Sequence, residues 1–321
     1  MGLVILLILL TYIVRISEAQ LRVGFYAETC PDAEAIVGSV VRQAAASNTN
    51  TAPVLLRLHF HDCFVHGCDA SILINNGPDA ERNAFGHQGV GGFDVIDQAK
   101  AQLEAACPGV VSCADIVALA ARDAVALANG PAYQVPTGRR DGMVSNVSMA
   151  DGMPDVSDSI QLLKSRFLQK GLSDKDLVLL TAAHTIGTTA CFFMTRRLYN
   201  FRPGGGSDPA INAQFLEELK SRCPENGDVN VRLPIDRGSA QAFDNQILQN
   251  IRGGFAVLES DARLYDDEGT RSVVDSYFGL LSPFVGPFFE TDFVESIVKM
   301  GAIDVKTGSQ GQIRRVCGAF N

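Results

Sequence analysis

The stretch Thr51-Ala52-Pro53-Val54-Leu55-Leu56-Arg57-Leu58-His59-Phe60-His61-Asp62-Cys63 decides how this chain is read. Thr51-Ala52-Pro53 opens a helix, with Pro in the first turn, where its missing N–H is no loss. Arg57 and His61 lie four residues apart, so they share one helix face. Pointed into one pocket, such a pair can serve as charge stabiliser and acid–base catalyst. A single Arg–His pair on a helix is more often a surface pair. Here, however, three of the chain's five His fall within residues 59–66, and that density asks for an explanation.

Outward from this segment the chain reads as mostly helical. Asp32 stands before apolar positions Ile36, Val37, Val40, Val41 and Ala44, at helical spacing. Residues 93–106 form a third helix, closed by Pro108-Gly109. Ser112 with Asp115 has the form of a capping box and starts an Ala-rich helix ending at Asn129-Gly130-Pro131. Ser173 with Asp176 does the same for a helix over 177–186, stopped by Gly187. Two more helices are predicted over 210–222 and 291–300. No internal repeat or low-complexity linker divides the chain, and its 321 residues allow one large domain or two packed lobes.

Composition narrows the function. Apolar residues make up 46% and charged residues 20%, which is globular and not disordered. A net charge of −9 and a pI near 5.1 argue against a general nucleic-acid binder. Residues 3–14 are an apolar run too short to span a bilayer, which needs ~20 residues. Ser17-Glu18-Ala19 follows with small residues suited to cleavage, so 1–19 reads as a secretory signal peptide and 20–321 as the mature domain. Cleavage removes Arg15 and Glu18 and leaves the net charge at −9. No later segment reads as a membrane helix. All eight Cys are in the mature part, and in an oxidising compartment they suggest four disulfides of undecided connectivity. Asn146-Val147-Ser148 is a glycosylation acceptor pattern.

The histidine-rich segment permits two metal readings. His59, His61, Cys63, His66 and Cys68 are possible zinc ligands. Against zinc, His59 and His61 face different sides of a helix, and Cys63 and Cys68 suit a small disulfide loop. Asp62, Asp69 and Ser71 offer oxygens around a turn at Gly67, as a calcium loop does, though without the EF-hand pattern. At the other place of interest, Leu179 to Gly187, His184 ends an apolar helix among small residues that leave room for a flat cofactor.

Taken together, Arg57-Leu58-His59-Phe60-His61-Asp62-Cys63, Gly67-Cys68-Asp69-Ala70-Ser71 and Ala183-His184-Thr185-Ile186-Gly187 resemble the secretory plant haem peroxidases of class III. Val111-Ser112-Cys113-Ala114-Asp115, Gly138-Arg139-Arg140-Asp141, Phe243-Asp244-Asn245, Ser260-Asp261 and residues 308–314 extend the resemblance over 20–321. It implies an all-α, two-lobed fold with one haem b between distal and proximal helices. It makes His184 the axial iron ligand and Asp261 the carboxylate behind it. On the distal side it makes His61 the acid–base catalyst, Arg57 the charge stabiliser and Phe60 the shield, with Pro154 lining the substrate edge. It implies two Ca²⁺. The first would be held by Asp62, Val65, Gly67, Asp69 and Ser71, with Glu81 through water; the second by Thr185, Asp236, Ser239, Ala242 and Asp244. It pairs Cys30 with Cys107, Cys63 with Cys68, Cys113 with Cys317 and Cys191 with Cys223. The activity implied is reduction of H₂O₂ to water with one-electron oxidation of phenolic donors through compounds I and II. A secreted monomer of the cell-wall space, free of membrane and nucleic acid, is the expected setting.

Some positions depart from the pattern. His87 stands where the family usually has Asn, whose carbonyl accepts a hydrogen bond from the distal His. A neutral His87 can accept the same bond through a ring nitrogen, a protonated one cannot, and a His87 turned to solvent would leave the distal His held otherwise. The alternative function is accordingly a haem-binding wall protein with impaired peroxide activation. Ser239 replaces Thr in the second calcium set, Ile186 and Ile235 stand where aromatic residues are common, and Tyr133 stands where a Trp is common, in keeping with the absence of Trp from the chain.

Overall fold

The computed structural model describes residues 20–279 and 287–321; the segment read as a signal peptide lies outside them. Among these residues the fold is helical, with one two-stranded sheet. The chain forms two compact units. The first comprises residues through Ala124, Ala132–Met153 and Met300–Asn321; the second comprises Val125–Pro131 and Pro154–Lys299.

The first unit is built on α1 (Ala33–Ser47), α2 (Thr51–Cys63), α3 (Phe93–Ala106) and most of α4 (Cys113–Leu127). The i, i+3, i+4 pattern of α1 buries Val37, Val40 and Val41 against α3, which returns Ile96, Ala99 and Leu103. Asp32 stands at the N-terminus of α1 but makes no side-chain cap. Ser112 Oγ does accept from the Asp115 N–H, at 3.1 Å. The Asp115 carboxylate, however, turns away from the capping box. It accepts from Tyr26 Oη (2.6 Å), the Gly138 N–H (2.7 Å) and Arg139 (2.7 Å), and so ties the Gly138-Arg139 turn to α4.

The second unit contains α5 (Ile160–Gln169), α6 (Asp174–Thr181), β1 (Thr188–Ala190), α7 (Thr195–Tyr199), α8 (Ala213–Arg222), β2 (Arg232–Pro234), α9 (Gln246–Gly253), α10 (Glu259–Arg263), α11 (Glu268–Ser276) and α12 (Phe289–Met300). Met194, Leu198, Phe215, Leu219, Leu233 and Val257 form a core cluster beside the Cys191–Cys223 bridge. The capping box of α6 is complete. Its helix is shorter than the 177–186 reading, because the chain tightens into a 3₁₀ turn over Ala182–Thr185. The cause is tertiary: Thr185 is drawn to Asp236, Ala242 and Asp244, and Gly187 turns the chain at φ +105° into β1. The helix read from 210 begins at Ala213, where Asn212 supplies the cap. The β1–β2 pair, α5, α7 and α9–α11 were not foreseen.

Candidate active site

In the first unit, α2 carries Arg57 and His61 on one face. Arg57 Nε donates to His61 Nε2 at 3.1 Å, and its Nη2 donates to the Gln88 carbonyl at 3.0 Å. Arg57 is thereby braced by α2 and by the loop that also holds His87. His61 is buried, and its second ring nitrogen lies 2.9 Å from Nδ1 of His87. His87 is only 3% exposed, which corrects the reading in which it swings to solvent. Phe60 precedes His61, half-buried, and stacks on Phe64.

Below this pair lies the oxygen cluster read as a calcium loop. Asp62, Asp69, Ser71 and Glu81 are all buried, and Asp62 and Glu81 have both carboxylate oxygens without a hydrogen-bond partner. Ser71 Oγ is likewise unsatisfied. Burial, with Asp69 and Glu81 close by, pushes the Asp62 carboxyl well above its ordinary range. Unpartnered buried carboxylates are costly, and a cation with oxygen preference removes that cost. Gly67 turns the loop at φ +96°, and a Cβ there would sit 2.6 Å from the Asp304 carbonyl, so only glycine fits. Asp69 is otherwise engaged: it accepts from the Ser71 N–H at 3.1 Å and from Lys306 Nζ at 2.5 Å. The residues present fit Ca²⁺. Zinc is set aside, because Cys63 and Cys68 form a disulfide and His59 is wedged 3.6 Å from Cys63 Sγ. Among the described residues no three His, Cys, Asp or Glu side chains gather to hold a metal by themselves, so a calcium site also needs hydroxyl and carbonyl oxygens.

In the second unit, His184 sits in the 3₁₀ turn after α6. Its Nδ1 lies 3.0 Å from Oδ1 of Asp261, which is fully buried on α10 and also accepts from Ser260 Oγ at 3.1 Å. The imidazole itself is 38% exposed. A carboxylate on Nδ1 makes Nε2 the basic nitrogen, the donor an iron porphyrin would need. Beside it a second oxygen cluster forms. Thr185 Oγ1 lies 3.2–3.4 Å from Asp236, Asp244 and the Ala242 carbonyl. Ser239 Oγ donates to Asp236 at 2.7 Å and Asp244 at 2.9 Å. Ser239 thus keeps the hydroxyl that Thr would supply. Asn250, a residue the sequence reading missed, donates to Asp236 from α9.

All eight cysteines are paired: Cys30–Cys107, Cys63–Cys68, Cys113–Cys317 and Cys191–Cys223. Asn146 is exposed, with its side chain accepting from the Ser148 N–H. Pro154 opens the second unit's main segment, half-buried.

A helical scaffold carrying an Arg bonded to a buried His in one unit and a carboxylate-backed His in the other defines a haem peroxidase type of protein. Comparisons with known proteins agree. The family model described as Peroxidase matches residues 37–279. Peroxidase 43 of Arabidopsis thaliana is 68% identical over 313 residues, covering 98% of this chain and 96% of that protein. Peroxidase 13 of the same plant is 58% identical over 307 residues, covering 95% and 94%. Peroxidase N1 of Nicotiana tabacum is 50% identical over 317 residues, covering 99% and 96%. The chain belongs to the peroxidase family, in its class III plant branch, and has the all-α haem peroxidase fold.

Proposed function

We propose that this peroxidase reduces H₂O₂ to water at one haem b and takes single electrons from small phenolic donors. The reading rests on one observation above others: Arg57 Nε points at His61 Nε2 from 3.1 Å, so a fixed cation and a basic nitrogen meet at one point. The haem, when bound, supplies the redox chemistry. His184 would hold it through Nε2, with Asp261 keeping that imidazole electron-rich by accepting from Nδ1. His61 Nε2 takes a proton from one peroxide oxygen and returns it to the other as the O–O bond breaks. Arg57 stabilises the negative charge that develops there. Phe60 keeps bulky donors from the distal side, and Pro154 lines their approach.

Two Ca²⁺ support the site, one at Asp62, Val65, Gly67, Asp69 and Ser71 with Glu81 through water, the other at Thr185, Asp236, Ser239, Ala242 and Asp244. The first set adjoins His61 in sequence and the second adjoins His184, so each ion steadies one catalytic histidine. Residues 1–19 direct export and are removed, and the mature protein works as a monomer in the cell-wall space, with a glycan at Asn146. The impaired-catalysis alternative is not favoured, since His87 is buried where an acceptor for His61 belongs.

Stopped-flow mixing of the haem-loaded protein with H₂O₂ tests the reading. Wild type should lose Soret intensity rapidly, with one peroxide consumed per haem. His61→Leu should slow that step by about 10²–10⁴, the usual worth of a positioned acid–base group. A wild-type Soret band that does not respond to peroxide would sink the proposal.

A further inference from the structure

Asp62, Asp69 and Glu81 are buried close together in the first unit, and two cations of the C-terminal segment approach them. Arg314 lies deep: it is wholly buried and donates from Nη2 to the Ala70 carbonyl at 2.6 Å. Lys306 stands at the rim. Its backbone carbonyl accepts from the Arg140 N–H at 2.8 Å, which fixes the residue, and its Nζ donates to Asp69 Oδ2 at 2.5 Å. The Lys306 side chain is 30% exposed and that of Asp69 only 3%. Lys306 also lines a surface cavity of 270 Å³ with Met143 and Met149. Its ammonium therefore has water on one side and a buried carboxylate on the other.

Asp69 divides its two oxygens between these surroundings. Oδ1 turns inward and accepts from the N–H of Ser71, whose hydroxyl belongs to the cluster. Oδ2 turns outward to Lys306, and Gly142 backs it so closely that a Cβ there would collide. A cation on Oδ1 would share one carboxylate with Lys306, and two positive charges on one carboxylate repel. Ligand charge and site rigidity tune how tightly oxygen ligands hold Ca²⁺. Lys306 offsets one of three carboxylate charges. The same ammonium relieves the repulsion among those carboxylates when no ion shields them. We propose that Lys306 is a built-in counter-cation of the first oxygen cluster, one that weakens Ca²⁺ binding there and stands in for part of the ion's charge when Ca²⁺ is withdrawn. Given that this cluster binds Ca²⁺ as proposed above, Lys306 makes it a site that releases its ion more readily than three carboxylates alone would.

Backbone NMR of ¹⁵N-labelled holoenzyme in its diamagnetic ferrous carbonmonoxy form, titrated with Ca²⁺ in a chelator buffer, separates the two clusters. The Gly67 and Asp69 N–H groups report the first, and the Thr185 N–H reports the second. Lys306→Gln keeps a donor for Asp69 Oδ2 and removes the charge, and because the residue borders open water the change leaves no buried void. Its dissociation constant for Ca²⁺ at the first cluster should fall by about 10–100-fold, with the second cluster unchanged. Lys306→Met should tighten the first cluster as well, and Lys306→Arg, which keeps the charge, should bind as wild type does. Thermal unfolding gives a reading independent of turnover: Lys306→Gln should unfold below wild type in chelator, and saturating Ca²⁺ should close or reverse the gap. Unchanged or weaker binding at Gly67 and Asp69 in Lys306→Gln, or equal tightening in Lys306→Arg, would overturn the proposal. Wild-type Gly67 and Asp69 signals that ignore Ca²⁺ would instead overturn the calcium reading beneath it.

Discussion

His59, His61 and His66 crowd one short stretch and have three different fates. His66 is exposed, His61 is held between Arg57 and His87, and His59 is buried beside the Cys63 sulfur. Burial, and then the nearby charge of Arg139, lowers the His59 pKa from 6.5 to about 3. The sign of the consequence follows. Between those values the unfolded chain binds a proton that the folded protein refuses, so stability is full above pH 6.5 and falls as pH drops. The loss is at most about 1.4 kcal/mol per pH unit. His59→Gln keeps a polar side chain and removes the titration. Its unfolding free energy in denaturant should therefore fall less steeply than that of wild type between pH 7 and pH 5, by about 2 kcal/mol. Parallel pH slopes in the two proteins would mean that His59 is not held neutral. The motif that first drew attention to catalysis thus includes a histidine whose work is structural, and spacing alone could not separate it from His61.

At the level of elements, α6 shows what a sequence can and cannot display. Its start is legible because a capping box is a local pattern. Ser173 Oγ accepts from the Asp176 N–H at 3.2 Å, and the Asp176 carboxylate accepts from the Ser173 N–H at 2.7 Å. Asp176 also meets Ser296 Oγ (2.9 Å) and Lys299 Nζ (2.6 Å), so the cap ties α6 to α12. Ser173→Ala should lower stability by about 0.5–2 kcal/mol, as lost N-caps do, measured as a shift of the denaturant midpoint at unchanged slope. An unmoved midpoint would mean that the tertiary contacts of Asp176 carry the cap unaided. The end of α6 was misread, because Thr185 is pulled out of helical geometry by Asp236 and Asp244, some fifty residues away in sequence. The same limit hid β1 and β2, three residues each, whose pairing of Thr189 with Leu233 no local periodicity announces. Helices with long apolar patterns were legible: residues 93–106 are helical as read, and Thr51 begins α2 as expected. Among site residues, Arg57 lies against His61 and His184 against Asp261, residues that motifs single out, while Asn250 carries no motif and emerged only in three dimensions.

At the scale of the molecule, disulfides and buried oxygen clusters are shared out between the units. Three bridges lie in the first unit and Cys191–Cys223 in the second. Cys113–Cys317 spans 204 residues and Cys63–Cys68 only 5, so chain entropy assigns them about 5 and about 2 kcal/mol. The short bridge is better understood as closing the loop that carries Asp62 and Gly67. The two oxygen clusters differ in one respect that decides how each would respond to a cation. In the second unit, the hydroxyls of Thr185 and Ser239 donate to Asp236 and Asp244. In the first, Asp62 and Glu81 are buried with no hydrogen-bond partner at all. Chelation should therefore destabilise the protein chiefly through the first site. Ca²⁺ at a hundredfold excess over its dissociation constant should restore about 2.7 kcal/mol, and Mg²⁺, which demands a tighter octahedron, should not. Asp62→Asn separates this from simple damage. The amide removes a buried charge that costs the ion-free protein free energy, and it also removes a ligand. The variant should unfold at a higher temperature than wild type in chelator and at a lower one in Ca²⁺. A variant less stable than wild type under both conditions would mean that the Asp62 carboxylate serves the fold in some way other than holding a cation.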